Sequence, residues 1–401
     1  MKIVHLGFNH RYNDIRIFEK ECVSLAKCGY EVVYITSSNN SPALGRIRKK
    51  GVKIIVIPVI SASFYIRLLQ YLSDARKEAV RQNADIYHIH EVWFLPLIPC
   101  LQRIGKVIYD SHEDAPRDHF ERQNGKRTIG VKIAENLFEM YENRKVRRVS
   151  GIIAATPYIA RRFRKIHKNV VTIANYPLIE NLKAGNDARK ENIIFYAGGI
   201  TKMNGILNVI KAMEQIDGTL VLAGEITEEF RAEACGYKGW KKVRELGFLS
   251  KEEVAQWYEK SRCGVLLYLP YQNNIHAMPN KLFEYMACGI PVVASDFALW
   301  KKYLEEGQCG ICVDPQDSKQ IAQAVNRLLW DQKLCKEMGR NGRKIIEKKY
   351  RWDKEEKKLA EFYERIQNSK SDAGGNGRRR HYECIDYCKR HSRSEEPAGD
   401  F

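Results

Sequence analysis

Short apolar runs alternate with longer amphipathic stretches along most of the chain, which predicts strands and helices taken in turn. Lys2–Gly7 reads as a first strand and Phe8–Asn13 as a polar loop. Asp14 is placed to cap a helix running to about Lys27, with Ile15, Phe18, Cys22 and Leu25 on one face, and Gly29 ends it. Glu31–Thr36 and Val52–Val59 are the next strands, and residues 64–82 form a surface helix. Asp85–His90 is a strand entering the loop Glu91-Val92-Trp93; His88 and His90 alternate there with Ile86 and Ile89 and are expected in the core. Lys106–Tyr109 leads into Asp110-Ser111-His112-Glu113-Asp114, at a strand end, where sites of open α/β sheets lie. Residues 115–150 carry many charges around Ile133, Leu137, Met140 and Tyr141 and are expected to be helical and solvated. Ile152–Ala155 is a strand, and Thr156-Pro157 opens a helix to about Lys165.

The second half repeats the alternation. Asn192–Ala197 is a strand, followed by the loop Gly198-Gly199-Ile200-Thr201-Lys202-Met203-Asn204-Gly205, whose glycines allow close backbone approach. Thr219–Ala223 and Cys263–Tyr268 are strands, the latter running on into Pro270–Ile275, with a helix over 251–260 between them. Pro279 is suited to the first position of a helix, Leu282, Phe283, Met286 and Ala287 recur on one face, and Gly289 stops it. Pro291–Ala294 is then a short buried strand. Free N–H groups at such a helix start attract phosphate, and Glu284, about one turn inside, offers a vicinal diol two acceptor oxygens. Gly310–Pro315 is a last strand and turn, followed by helices over 318–330, 332–348 and 350–367.

Length and charge narrow the class. The 401 residues suit two ordinary domains rather than one. The opening strand begins a β-loop-α-β unit but lacks Gly-x-Gly-x-x-Gly, which disfavours a dinucleotide cofactor. No apolar run is long enough to span a bilayer, and the N-terminus turns polar too quickly for a signal peptide. Eleven cysteines without regular spacing suit a reducing cytoplasm rather than disulfides or zinc. The net charge of +18 is concentrated in residues 1–180, which hold 30 Lys and Arg against 17 Asp and Glu. That asymmetry implies an anionic partner; no nucleic-acid motif is found, and an anionic membrane surface or lipid-phosphate acceptor fits better.

From Glu284 onward, Glu-Tyr-Met-Ala-Cys-Gly-Ile-Pro-Val-Val-Ala-Ser resembles the donor-binding segment of the retaining glycosyltransferases of family 4. The resemblance extends over about residues 1–366 and implies an α/β chain of GT-B fold: two Rossmann-like domains facing across a cleft, with a C-terminal helix crossing back to the first. The boundaries expected from it are 1–177 for an acceptor domain, 178–349 for a nucleotide-sugar donor domain, 350–367 for the crossover helix and 368–401 for a disordered tail. It further implies that Glu284 holds the donor ribose. The diphosphate would meet Gly198, Gly199, Lys202, Asn204 and Gly205, together with Asn280 and Lys281 at the helix start. The family usually has Gly-Arg-Leu-x3-Lys-Gly in this loop; here Gly199 replaces the Arg and Asn204 the Lys, so Lys202 is expected to supply the cation. The first Glu of the family's Glu-x7-Glu falls on His276, which would hold the donor sugar differently. His112 falls on the family's cleft histidine, so His112 and Glu284 are the expected catalytic residues. Asp14-x-Arg16-Ile17-Phe18-x-Lys20-Glu21 resembles one branch of the family and puts Arg16 on the acceptor side, with Glu113 and Asp114 near it.

What the resemblance implies is transfer of a sugar, with retention, from a nucleotide sugar to a cell-surface polysaccharide or lipid-linked glycan precursor. The enzyme would be cytoplasmic, peripheral on the inner face of the plasma membrane, and without a cofactor or bound metal, since no Asp-x-Asp cluster is present. Two alternatives are a GT-B sugar-nucleotide epimerase, which forms product from donor alone, and a catalytically weak sugar-nucleotide-binding or assembly protein, which binds without turnover.

Overall fold

A computed structural model of the chain describes residues 1–38, 45–60, 63–124, 128–182 and 190–369. The expectation of a disordered tail falls, from residue 370 onward, outside the described residues. The chain divides into two compact units, Met1–Ala174 with Asp353–Phe401, and Asn175–Trp352.

The first unit is an eight-stranded sheet of order β3-β4-β2-β1-β5-β6-β7-β8. Its strands are β1 (Lys2–Leu6), β2 (Glu31–Ser37), β3 (Arg46–Lys49), β4 (Val52–Ile57), β5 (Ile86–Ile89), β6 (Lys106–Ser111), β7 (Gly151–Ala154) and β8 (Val170–Thr172). Every pair is parallel except β3–β4, an exposed edge hairpin that the sequence pattern did not reveal because neither face of β3 is apolar. Val4, Leu6, Val33, Ile35, Tyr87, Ile89, Val107 and Tyr109 bury one face of the sheet. The opposite face is different. Register sets His5 beside His88 and His88 beside Ile108. Side chains alternate along a strand, so His90 and Asp110 share that face.

Two elements cover this polar face. One is the helix after Asp14, whose side chain accepts a hydrogen bond from Ile17 N (2.8 Å) as expected of a cap. The sequence predicts an α-helix there; the structure shows a π-helix over Ile15–Cys22 and α-helix only over Val23–Lys27. The wider π register aligns residues five apart, so Arg16 and Glu21 point the same way, with Arg16 Nε 3.2 Å from Glu21 Oε1. The other is the last helix, Trp352–Asn368, which buries Leu359, Phe362, Tyr363 and Ile366. Gly151 admits it: a Cβ there would lie 2.5 Å from Phe362 Cζ.

The second unit is a six-stranded, all-parallel sheet of order β11-β10-β9-β12-β13-β14. Its strands are β9 (Glu191–Ala197), β10 (Thr219–Ala223), β11 (Val243–Gly247), β12 (Ser261–Leu266), β13 (Val292–Ser295) and β14 (Gly310–Val313). Both faces are apolar and covered, as continuous Val/Ile/Leu runs require. In the stretch that the strand Cys263–Tyr268 was expected to run into, the structure has the short helix Gln272–His276. Pro279 caps the following helix, Asn280–Ala287, rather than opening it, because its ψ of 132° is extended.

Candidate functional site

In the second unit the predicted donor residues gather at the carboxyl end of β9. Gly198 and Gly205 have φ of +144° and +70°, and a Cβ on Gly205 would lie 1.7 Å from the Leu267 carbonyl oxygen. The loop between them is closed from inside. Asn204 Nδ2 donates to the Gly199 carbonyl (2.7 Å) and to Tyr196 Oη (3.2 Å), and Tyr196 Oη also donates to Gly199 O (2.9 Å). Asn204 therefore holds the loop's shape with its amide nitrogen. The expected loop cation, Lys202, is instead paired with Glu233 at the exposed surface.

Lys281 takes the position beside the glycines. Its Cε and Nζ lie 2.5 Å from where a Gly198 Cβ would be, and Nζ is 5.7 Å from the Tyr196 ring centroid. A side chain at 198 would push this flexible lysine end aside, and the φ of +144° by itself favours glycine there. Glu284, three residues along the same helix, accepts a hydrogen bond from the buried Tyr258 hydroxyl (3.0 Å) at Oε2. Tyr258 has no sequence signal, since its role depends on a helix packing beside another far along the chain. The segment carrying His276 is tied to the glycine loop: Asn274 Nδ2 donates to Met203 O (3.3 Å) and Leu269 O (3.0 Å), and Trp300 Nε1 donates to Ala277 O (2.8 Å). His276 and Asn280 are half-buried at the two ends of this segment.

In the first unit, His112 Nε2 lies 2.9 Å from Asp110 Oδ2 and 3.3 Å from His90 Nδ1, with 17% of its side chain exposed. Burial pushes the His112 pKa down, against the pull of Asp110. Asp110 is buried too, yet Arg16 and His112 hold its carboxyl well below the usual carboxylate range. Arg16 binds both Asp110 oxygens and donates to Ile173 O (3.0 Å). Arg16, expected on the acceptor side, is 5% exposed, and it anchors the carboxylate that holds His112. Asp114 is likewise buried and structural, paired with Arg117 and Arg162. Glu113 is exposed, and its carbonyl accepts from Ser111 Oγ (2.9 Å).

His10 was not singled out by sequence reasoning, because nothing local marks it. Its ring centroid lies 5.4 Å from that of His112, and it sits between Asp14 (3.2 Å) and Glu91 (3.7 Å). Burial alone would lower its pKa, but Asp14 and Glu91 raise it above the ordinary histidine value. Glu91 also accepts from Phe8 N (2.7 Å) and Asn9 N (3.1 Å), fixing the first loop.

Residues 21–175 match the family described as Glycosyltransferase Family 4, and residues 179–345 match Glycosyl transferases group 1. The chain is 29% identical over 181 residues to an alpha-D-kanosaminyltransferase of Streptomyces kanamyceticus, a match covering 43% of this chain and 46% of that protein. The chain thus spans about half the length of the curated relatives it matches over this stretch. Sucrose-phosphate synthase from Thermosynechococcus elongatus superimposes with a TM-score of 0.76 at 18% identity, over 91% of this chain and 99% of that one. Anabaena HepE, solved in complex with UDP-glucose, superimposes with a TM-score of 0.66 at 14% identity, over 91% and 100%. With both family descriptions matched in chain order and both units forming parallel-sheet α/β domains, the chain belongs to the family 4-like, group 1 glycosyltransferases of GT-B fold.

Proposed function

We propose that the protein transfers a hexosyl-type sugar, with retention, from a nucleotide-sugar donor to a cell-surface polysaccharide or lipid-linked glycan precursor. The observation that carries this is the packing of Lys281 on Gly198, one helical turn before Glu284. It brings together a cation, the N-terminal backbone N–H groups of a helix and, three residues on, a carboxylate, groups suited to a diphosphate and a neighbouring ribose. Charge developing on the leaving diphosphate is then met by Lys281 and the glycine-loop backbone, without calling on a bound metal. HepE's complex with UDP-glucose is in keeping with such a donor. A donor panel scored by nucleotide release, with the anomeric configuration of the product read by NMR, tests the proposal. Product from donor alone points to epimerisation, and binding without turnover under every acceptor points to a binding protein.

His276 bears on which donor is used. A neutral imidazole offers hydroxyls one donor and one acceptor, where a Glu would offer two acceptor oxygens. His276→Glu is therefore expected to reorder the donor panel or shift the acidic limb of the pH–rate profile, since an unperturbed imidazole titrates near pH 6.5. Unchanged ranking and unchanged pH dependence would leave His276 without a role.

The acceptor side is proposed to sit on an anionic membrane. Helix Ile129–Val146 presents Ile129, Ile133, Leu137, Met140 and Tyr141 to solvent, from 41% exposed for Tyr141 to 79% for Ile129. Exposed Lys132, Arg144, Arg147 and Arg148 flank this stripe. An apolar stripe edged by cations suits an interfacial helix, each cation adding about 1 kcal/mol near an anionic surface. No described helix is long and apolar enough to cross a membrane. Co-sedimentation with phosphatidylglycerol vesicles is expected, weakened by salt and by Leu137→Asp with Met140→Asp. Binding indifferent to anionic lipid, salt and both substitutions would refute this placement.

A further inference from the structure

Beneath His112, the polar face of the first sheet holds a group of side chains that the proposed transfer reaction does not use. His5 comes from β1, His88 and His90 from the end of β5, and Glu21 from the π-helix. All four are buried, and one potential ligand atom from each lies within 4.8 Å of the others. Four of their polar atoms, His5 Nε2, His88 Nε2, Glu21 Oε1 and Glu21 Oε2, are buried without a hydrogen-bond partner. Arg16 Nε is close to Glu21 Oε1 at 3.2 Å without bonding to it. Orphaned polar atoms in a core are costly, and His88 Nε2 and the two Glu21 oxygens, converging from two elements, call for a shared occupant that His5 and His90 can also reach.

We propose that His5, Glu21, His88 and His90 bind a divalent transition-metal ion, zinc by the chemistry of the ligand set, as a structural site inside the first unit. Three imidazoles and one carboxylate are zinc ligands, and a tetrahedral ion with bonds of about 2.0–2.1 Å holds its ligand atoms about 3.4 Å apart. His5 Nδ1 and His90 Nε2, now 2.9 Å apart, need to open only slightly to reach that spacing. The surroundings supply what metal-bound groups ordinarily have behind them. His88 Nδ1 is 2.6 Å from the Tyr363 hydroxyl of the last helix, and His90 Nδ1 is 3.4 Å from Asp110 Oδ2. Arg16 backs Glu21. Burial disfavours the charged form of all three imidazoles, and a neutral imidazole has one ring nitrogen with a lone pair to offer. Four protein ligands leave no open position, which makes the ion structural rather than catalytic. It would pin β1 and β5 to the π-helix and explain why that helix keeps a register that turns Glu21 inward.

The rival occupant is a proton. Burial and the neighbouring Asp110 push the Glu21 carboxyl well above its ordinary pKa, and a protonated Glu21 would leave the cluster as a metal-free hydrogen-bond network. Untagged full-length protein, grown with zinc and dialysed against metal-free buffer, distinguishes the two by elemental analysis. Stoichiometric zinc is expected, together with a Tm lowered by refolding in chelator and restored by zinc. Protein grown with cobalt is expected to show the visible d–d bands of a four-coordinate site. Glu21→Gln and His88→Gln should each lose the ion, while His276→Gln, in the other unit, should keep it. Wild-type protein without stoichiometric metal, and with the same Tm in chelator and in zinc, overturns the proposal even if the variants do not fold. Folded Glu21→Gln and His88→Gln that both retain the ion overturn the assignment of the site. No outcome depends on glycosyl transfer, so the site stands or falls apart from the proposed reaction.

Discussion

His112→Ala is expected to lower turnover by about a hundredfold or more, the usual scale for a positioned polar group acting in the transition state, while nucleotide affinity stays nearly constant. The geometry supports a defined orientation rather than a loose side chain. Asp110 holds one ring nitrogen at 2.9 Å and is itself fixed by Arg16 through both oxygens. The imidazole's other nitrogen, Nδ1, is left as the atom able to meet a substrate hydroxyl. The nucleotide half of the donor is assigned to the other unit, around Lys281 and Glu284, so the expected split is a loss in kcat with little change in nucleotide Kd. Steady-state kinetics and calorimetry with the nucleoside diphosphate measure the two separately. Wild-type turnover in the variant would exclude the role. An equal loss in nucleotide affinity would show that the residue acts on binding instead.

Glu284→Ala is expected to weaken nucleoside diphosphate binding by about 2–4 kcal/mol, the cost of a charge-assisted hydrogen-bond pair, or roughly 30- to 1000-fold in Kd. Tyr258 occupies Oε2, so the ribose would bind chiefly at Oε1, with Tyr258 setting the carboxylate's angle. Tyr258→Phe should then weaken binding less than Glu284→Ala does. Glu284 sits on a helix whose buried face is Leu282, Phe283, Tyr285, Met286 and Ala287, none of which the substitution touches, so the fold should hold. Calorimetric affinity unchanged for every nucleoside diphosphate would sink the assignment of Glu284 to the ribose.

The two units differ in how far their sites could be read in advance. The residues proposed to hold the donor lie in two contiguous stretches, 198–205 and 276–284, and local rules single them out: glycines that mark unusual φ, a helix start, and a carboxylate one turn inside. What those rules could not decide was which lysine faces the loop. Lys202 is in the loop by sequence but pairs with Glu233, whereas Lys281 reaches Gly198 from a helix some eighty positions away. Similarly, Asn204 looks like a substituted contact residue, yet its amide is used to close the loop.

The alternation of apolar and polar positions alone determined that the chain builds strands and helices in turn, roughly where each lies, and that the segment from Glu284 to Ser295 is a helix followed by a buried strand. Periodicity reports burial, and burial of whole elements is local enough to read. The polar face of the first sheet was decided only by tertiary structure. His5, Arg16, Glu21, His88, His90, Asp110 and Tyr363 are scattered over more than 350 positions and meet because β1, β5 and β6 are neighbours and the last helix returns to cover them. A histidine that alternates with isoleucine reads as core in either case. Whether its ring nitrogen meets a hydroxyl, a carboxylate or another imidazole depends on strand order and helix register, and neither is written in the local pattern.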